Sequence, residues 1–203
     1  MKPVQRLTKE KAHEYWKQPW DGANRPRDYK EGSERSRFLV DLVKNNAPSN
    51  ARILEIGCNI GRNLDHLLQG GFRKLEGIEI SEAAVREMKE AYPALATAAK
   101  IHVGPIEEIL PRIPDAAFDV TFSMAVLEHI HEDSEWVFPH IVRITRGTLI
   151  TIEDEKNVSE RHFPRNYRKV FVPLGMKQVK KISGRRIEGL RSGYFVARVF
   201  RRS

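Results

Sequence analysis

The sequence predicts a doubly wound α/β fold, and three observations carry that expectation. Apolar runs of strand length alternate with helix-length amphipathic segments from residue 34 to residue 153. The runs are apolar on both faces, as strands of a parallel sheet covered on two sides must be. The first of them, within ILEIGCNIGRN at residues 53 to 63, leads into a turn holding Gly57 and Gly61, which suits a buried strand opening directly into a helix.

The elements follow in order. ERSRFLVDLVKN puts Phe38, Leu39, Leu42 and Val43 at helical spacing and is stopped by Asn45-Asn46-Ala47-Pro48. ARILEIG reads as a strand, RNLDHLLQ as a helix, KLEGIEI as a strand and SEAAVREMKEAY as a helix. AAKIHVG is the third strand, PIEEILPRI a short helix, FDVTFSM the fourth strand, SEWVFPHIVRIT a helix that Pro139 shortens or kinks, and GTLITIE the fifth strand. Right-handed crossovers between such strands place helices on both faces of the sheet. Beyond Glu155 the rhythm changes. HFPRNYRKVFVPLGMKQVKKI reads as a loop, a turn and a short helix, whereas RRIEGLRS and GYFVARVFRR read as two strands too close for a helix between them. They are expected to pair as an antiparallel hairpin at one edge, with Arg198, Arg201 and Arg202 guarding that edge against other chains.

A length of 203 residues suits one domain over 1–203, with 40% hydrophobic residues and no apolar run near the roughly 18 needed to cross a bilayer. The start, MKPVQRLTKEKAHEYW, lacks the apolar stretch of a secretory signal, so a soluble cytoplasmic protein with no membrane partner is expected. The single Cys58 excludes a disulfide framework or a multi-cysteine zinc site. Net charge is +8, but unevenly distributed: from Lys156 onward 14 Lys and Arg face only Glu160 and Glu188, a balance of +12, while the other 21 basic and 25 acidic residues give −4. The basicity is a property of the C-terminal region, either a solvated face or an anion-binding surface.

In open parallel sheets a ligand sits beyond the carboxyl ends of the strands, against the first turn and the helix that follows it. Glu79 closes the second strand 18 residues after Gly61, where a carboxylate can accept both hydroxyls of a ribose. A nucleoside-bearing ligand across the first two strands is expected. The dinucleotide pattern G-x-G-x-x-G is missing its middle glycine, since Gly57, Cys58, Asn59, Ile60 and Gly61 stand in sequence. Glu55, two residues before the turn, also opposes an anionic ligand and favours one bearing an ammonium and a sulfonium.

ILEIGCNIGRN, the acidic GIEIS strand end and FDVTFSMAVLEHI together resemble the class I S-adenosylmethionine-dependent methyltransferases, in particular their small-molecule branch, closely over residues 50 to 153 and in topology beyond. The resemblance implies a Rossmann-like, mostly parallel sheet of seven strands with the last inserted antiparallel. It implies S-adenosylmethionine as cofactor and S-adenosylhomocysteine as product. Glu55, Ile56, Gly57, Cys58, Asn59 and Gly61, with Asn63 in the helix that follows, would hold the methionine part, and Glu79 the ribose. Ile80 would pack on the adenine, Gly104, Pro105 and Ile106 would border it, and Ser123, Met124 and Ala125 would lie near the sulfonium. Asn59 replaces a usual glycine but tolerates positive φ better than most residues. Pro105 replaces an acidic residue that often accepts from the adenine, which leaves Glu107 as the candidate acceptor.

His129, in the L-E-H position, is the expected catalytic residue at the reaction centre, with a structural or cofactor-shelf histidine as the alternative. A metal is not expected: methyl transfer needs none, and His129 and His131 lack the i, i+4 spacing that converges on zinc. Glu153, in the run Glu153-Asp154-Glu155 after the fifth strand, could orient an acceptor. Two segments could close the site. Residues 1–32, through EYWKQPWDGANRPRDY, carry Tyr15, Trp16 and Trp20 as a lid; residues 156–183 form an acceptor loop and helix with Arg165 and Tyr167 as substrate contacts. The expected acceptor is a small polar molecule, a sugar or other metabolite, methylated on oxygen or nitrogen. An RNA or protein methyltransferase using the basic C-terminal region is the alternative. Nucleic acid is the less favoured partner, because SMAV stands where amino-methylating enzymes grip a flipped base.

Overall fold

The computed structural model describes residues 4–19, 21–30, 32–190 and 192–202. Its five parallel strands are β1 (Arg52–Ile56), β2 (Lys74–Glu79), β3 (Lys100–Val103), β4 (Phe118–Met124) and β5 (Thr145–Asp154). With β6 (Met176–Ser183) and β7 (Phe195–Arg202) they form one sheet in the order β3-β2-β1-β4-β5-β7-β6. β7 runs antiparallel between β5 and β6. This is the seven-stranded Rossmann-like topology that the resemblance implied.

Alternation along β1 shows why helices cover both faces. Ile53 joins Leu39 and Val43 of α2 (Ser33–Lys44) and Leu64 and Leu67 of α3 (Arg62–Gln69) on one side. Leu54 and Ile56 join Phe138 and Ile141 of α7 (Val137–Ile144) and Phe171 of α8 (Tyr167–Phe171) on the other. Because α7 begins at Val137, Pro139 falls in its first turn, where an N–H has no intrahelical partner to lose, and the expected interruption reduces to a start signal. The remaining helices are α1 (Lys9–Lys17), α4 (Glu82–Ala91), α5 (Pro93–Ala98) and α6 (Ile106–Ile109). None of the described helices is long and apolar enough to cross a membrane.

The C-terminal hairpin is not the one expected from strand patterning. β7 pairs with MKQVKKIS, while residues 184–190, in the place of the expected strand, hold a 3-10 turn (Gly184–Arg186) and a loop in which Gly189 takes φ 79°. A register shift between Gln178 and Lys180 leaves Val179 facing solvent, and this bulge breaks the alternation that would have marked the segment as a strand. The edge belongs to β6, and its exposed Lys177, Lys180 and Lys181 blunt it in place of the arginines of β7. Arg198 is instead buried: its Nε and one terminal nitrogen each donate to Glu155 at 2.7 Å, and the other terminal nitrogen donates to Gln178 at 2.6 Å.

Strand order reverses between β1 and β4, so their carboxyl ends splay into a crevice. The N-terminal segment lies across it. Thr8 caps α1, Ser81 Oγ donates to the Lys17 carbonyl at 3.0 Å, His13 Nε2 bonds Glu107 at 3.0 Å, and the Leu7 amide donates to Glu160 at 2.9 Å.

Candidate active site

The cleft at this reversal point encloses about 1260 Å³, its open mouth included. Its floor is the turn after β1. The amides of Gly57 and Cys58 both donate to the Ile78 carbonyl, at 2.9 and 3.0 Å, which pins the turn to β2. Gly57 takes φ 70°, and a Cβ there would stand 2.5 Å from a methyl of Val126, so only glycine fits. Asn59 adopts φ 48° and donates its amide to Glu79 Oε2 at 2.7 Å. The Ser81 amide donates to Oε1 of the same carboxylate at 2.8 Å. Both oxygens of Glu79 are thereby oriented, each with acceptor capacity to spare, and burial holds its carboxyl above the usual range against the pull of these amides.

Glu55 is almost fully buried. Its Oε1 accepts from Asn63 Nδ2 at 2.7 Å, while Oε2 has no partner among the described residues. Burial pushes this carboxyl up to about 8, with the Asn63 bond acting against the rise. Asn63 in turn accepts from Ser36 Oγ at 2.7 Å, and the Arg62 side chain donates to Ser36 and to the Tyr29 carbonyl, each at 3.0 Å. Arg35, on the same helix as Ser36, lines the cleft with a buried Nε that lacks a partner. Among the described residues the cleft therefore holds an orphan acceptor, Glu55 Oε2, and two orphan donors, Arg35 Nε and Trp16 Nε1; the first two belong to side chains of opposite formal charge, which match the two ends of a zwitterionic amino acid. Neither Arg35 nor Arg62 is among the residues expected from sequence, because no motif marks either position and only tertiary packing brings them together with Ser36 and Asn63.

Of the residues expected to hold a cofactor, Glu55, Gly57, Cys58, Asn59, Asn63, Glu79, Ile80, Pro105, Ile106, Met124 and Ala125 line the cleft. Four expected side chains do not. Ile56 belongs to the core beneath α7. Gly61 supports the turn from below, at φ 79° and with Leu95 and Met88 against it. Gly104 donates to the Glu79 carbonyl at 2.8 Å without joining the cleft wall. Ser123 is buried and donates to Glu153 at 2.6 Å. Burial pushes the Cys58 thiol up, which keeps it neutral and unreactive.

The acceptor contacts are distributed differently from expectation. Trp16 lines the cleft with its ring 4.4 Å from that of His129, whereas Trp20 lies outside the described residues. Tyr15 is buried below α1 and spends its hydroxyl on Asp21 and Asn24, at 3.0 and 2.8 Å. Glu153 is buried, accepting from Ser123 and from the Val126 and Leu127 amides at 2.9 and 3.0 Å, so it anchors the turn ahead of His129 without facing the cleft. Arg165 turns away to Glu135 at 2.8 Å and to the Phe163 carbonyl at 2.7 Å. Tyr167 packs into the core with Phe138 and Phe171. The apolar character of these two rings and of the Arg165 stem drew them inward, where sequence position alone suggested a surface loop. Glu107 lines the cleft but is already bonded to His13.

His129 occupies a 3-10 turn (Leu127–His129) after β4 and lines the cleft. Its Nδ1 donates to the Arg161 carbonyl at 2.8 Å, and since a carbonyl only accepts, Nε2 carries the lone pair. Burial holds this imidazole down to about 3, so it stays neutral. Beside it, burial pushes the carboxyls of both Glu128 and Glu153 up, and for Glu128 the neighbouring Glu153 adds to the rise.

Residues 54–150, from β1 into β5, match the family described as a methyltransferase domain. This stretch contains Gly57, Gly61, Glu79 and His129. A protein of Mycolicibacterium smegmatis named as a probable S-adenosylmethionine-dependent methyltransferase is 33% identical over 85 residues, 42% of this chain, and the match spans only 30% of that relative's length. Among solved structures, magnesium protoporphyrin IX methyltransferase from Synechocystis PCC 6803 with bound S-adenosylhomocysteine superposes with a TM-score of 0.72 at 17% identity, covering 97% of this chain and 100% of its own. The [4+2]-cyclase SpnF superposes equally well, with a TM-score of 0.72 at 14% identity and 98% of each chain covered. These structures share the fold, and the fold by itself accommodates more than one reaction.

Proposed function

We propose that this protein binds S-adenosylmethionine in the cleft at the β1–β4 reversal and transfers its methyl group to an oxygen or nitrogen of a small polar molecule. The observation that carries this reading is the pair of orphan atoms, Glu55 Oε2 and Arg35 Nε, in one cleft with the doubly held carboxylate of Glu79. Glu55 and Arg35 suit the ammonium and carboxylate of the methionine part, and Glu79 suits the ribose hydroxyls. Ile80, Pro105 and Ile106 supply apolar walls for the adenine, and Met124 and Ala125 border the sulfonium. The bound cofactor supplies an electrophilic methyl group. The chain's part is to position the acceptor and, where the acceptor must lose a proton, to offer the lone pair of His129 Nε2.

The N-terminal segment, up to about residue 32, serves as the lid, with Trp16 closing the cleft over His129. It is tied down at Asp21, where Arg161 donates at 2.7 Å, and at Arg6, which pairs with Glu132. Of these two ties, the segment at 156–183 supplies Arg161. We read the whole of 1–203 as one methyltransferase domain. The exposed Lys177, Lys180 and Lys181 of β6 are separated from β4 by β7 and β5, which favours a small acceptor over RNA. Incubation with methyl-labelled cofactor and fractionated cell extract tests the proposal. Label in a small-molecule fraction supports it, whereas label in RNA or protein, or none at all, refutes it.

A further inference from the structure

Tertiary structure brings to His129 a partner that sequence spacing did not. The loop between β5 and α8 folds back on the turn after β4, joined by the Phe163 amide to the Glu128 carbonyl at 2.7 Å and by His129 Nδ1 to the Arg161 carbonyl. This brings His162 into place, its ring 4.6 Å from that of His129. His129 Nε2 lies 3.8 Å from Glu128 Oε1, and His162 Nε2 lies 3.9 Å from the same oxygen. One donor atom from each of the three residues falls within 4.8 Å of the other two. His131, which the sequence offered as the neighbour, is not part of this group.

The other atom of each side chain is already engaged. The Arg161 carbonyl holds His129 Nδ1, Ser159 Oγ lies 2.6 Å from His162 Nδ1, and the Asp154 amide donates to Glu128 Oε2. Such outer hydrogen bonds orient metal ligands and set the imidazole tautomer. The remaining atoms are two imidazole nitrogens and one carboxylate oxygen. In a tetrahedral site with bonds of about 2.1 Å, ligand atoms stand about 3.4 Å apart, so side-chain rotations closing the present spacing by roughly half an ångström to an ångström and a half complete the geometry. Glu128 is buried, and a nitrogen of each histidine faces the same carboxylate oxygen.

We propose that Glu128, His129 and His162 form a binding site for a divalent transition ion in the wall of the cleft. Two nitrogen ligands favour zinc, cobalt or iron(II) over magnesium or calcium, which prefer oxygen. Three protein ligands leave a coordination position open. Resting on the methyl-transfer reading above, that position takes an oxygen of the acceptor; with the ion bound, His129 Nε2 serves as ligand and the cation, by lowering the pKa of the bound oxygen, replaces it as the means of losing the proton, which points to a hydroxyl-bearing substrate.

The test uses metal-stripped protein without a polyhistidine tag, titrated calorimetrically with Zn²⁺ and spectroscopically with Co²⁺. The expected result is one saturable Zn²⁺ per chain and visible absorption from Co²⁺ in a nitrogen and oxygen environment. His162→Ala and Glu128→Gln should each weaken Zn²⁺ by at least about tenfold, as loss of a direct ligand should exceed the effect of an outer-shell change. His131→Ala should leave it unchanged. Circular dichroism checks that each variant folds; should Glu128→Gln fail, His162→Ala, on a partly exposed loop side chain, decides alone. Absence of saturable binding, or unchanged affinity in His162→Ala, overturns the site. S-adenosylhomocysteine is titrated in parallel: its binding without any zinc uptake removes the metal site and leaves the methyltransferase reading standing.

Discussion

Asn63 donates its side-chain amide to one oxygen of Glu55 at 2.7 Å and leaves the other oxygen buried and unpartnered. Burial pushes Glu55 up to about 8, so near neutral pH the apo cleft holds a protonated carboxyl. A cofactor ammonium would favour the ionised form. Below pH 8 binding must therefore release a proton, and affinity rises with pH. Above it the α-amino group, with an ordinary pKa of about 7.7–8.0, loses its own charge, and affinity falls again. S-adenosylmethionine affinity is expected to peak near pH 8. Calorimetry at pH 6.5 in buffers of different ionisation enthalpy should detect net proton release, and finding none contradicts this assignment.

Glu55→Gln keeps an acceptor for Asn63 but removes the charge. Because the folded carboxyl titrates above its unfolded value, Glu55 costs the apo protein stability progressively as pH rises from about 4.5 to about 8. The variant should lose that pH-dependent penalty, melt higher than the parent at pH 8, and bind the cofactor at least about tenfold more weakly. Paired thermal melts and titrations at pH 5 and pH 8 check both signs.

Arg35→Ala removes a guanidinium whose Nε has no partner among the described residues. Cofactor affinity should fall by about tenfold or more, with little change in the apo melting temperature. A large loss of stability with unchanged affinity would reassign Arg35 to a structural role.

Glu79→Ala strips the acceptor from the Asn59 and Ser81 amides as well as from the ribose, and Gly61→Val forces a branched side chain onto φ 79° with Leu95 2.6 Å from its Cβ. Each should weaken S-adenosylhomocysteine binding by at least about tenfold. Both should also cost stability, Gly61→Val through backbone strain and Glu79→Ala through the two amides left without their acceptor, since each effect is present without ligand.

His129→Ala should slow transfer more than it weakens cofactor binding, because His129 lines the cleft but is not among the residues assigned to the cofactor. Single-turnover rates compared with binding constants separate the two. Equal losses would make His129 a cofactor contact.

How much of this was legible in advance depended on sequence distance. The α/β alternation, the Gly57 to Gly61 turn and Glu79 lie within one strand-helix-strand unit, where local periodicity and turn chemistry decide the outcome. Tyr167, Arg165 and Glu153 were misplaced because their burial depends on neighbours contributed by distant segments. The bulge in β6 defeated period-two reading for a related reason: its pairing is dictated by β7, about twenty residues later.

The amino-acid order alone determined the fold class, the glycine turn after β1 and the acidic end of β2, since each is set by residues adjacent along the chain. Tertiary structure alone decided that Arg35 would share a cleft with Glu55 and that His162 would approach His129. Both juxtapositions arise from burying apolar faces of separate segments against one sheet, and that packing carries polar side chains to places their own spacing does not specify.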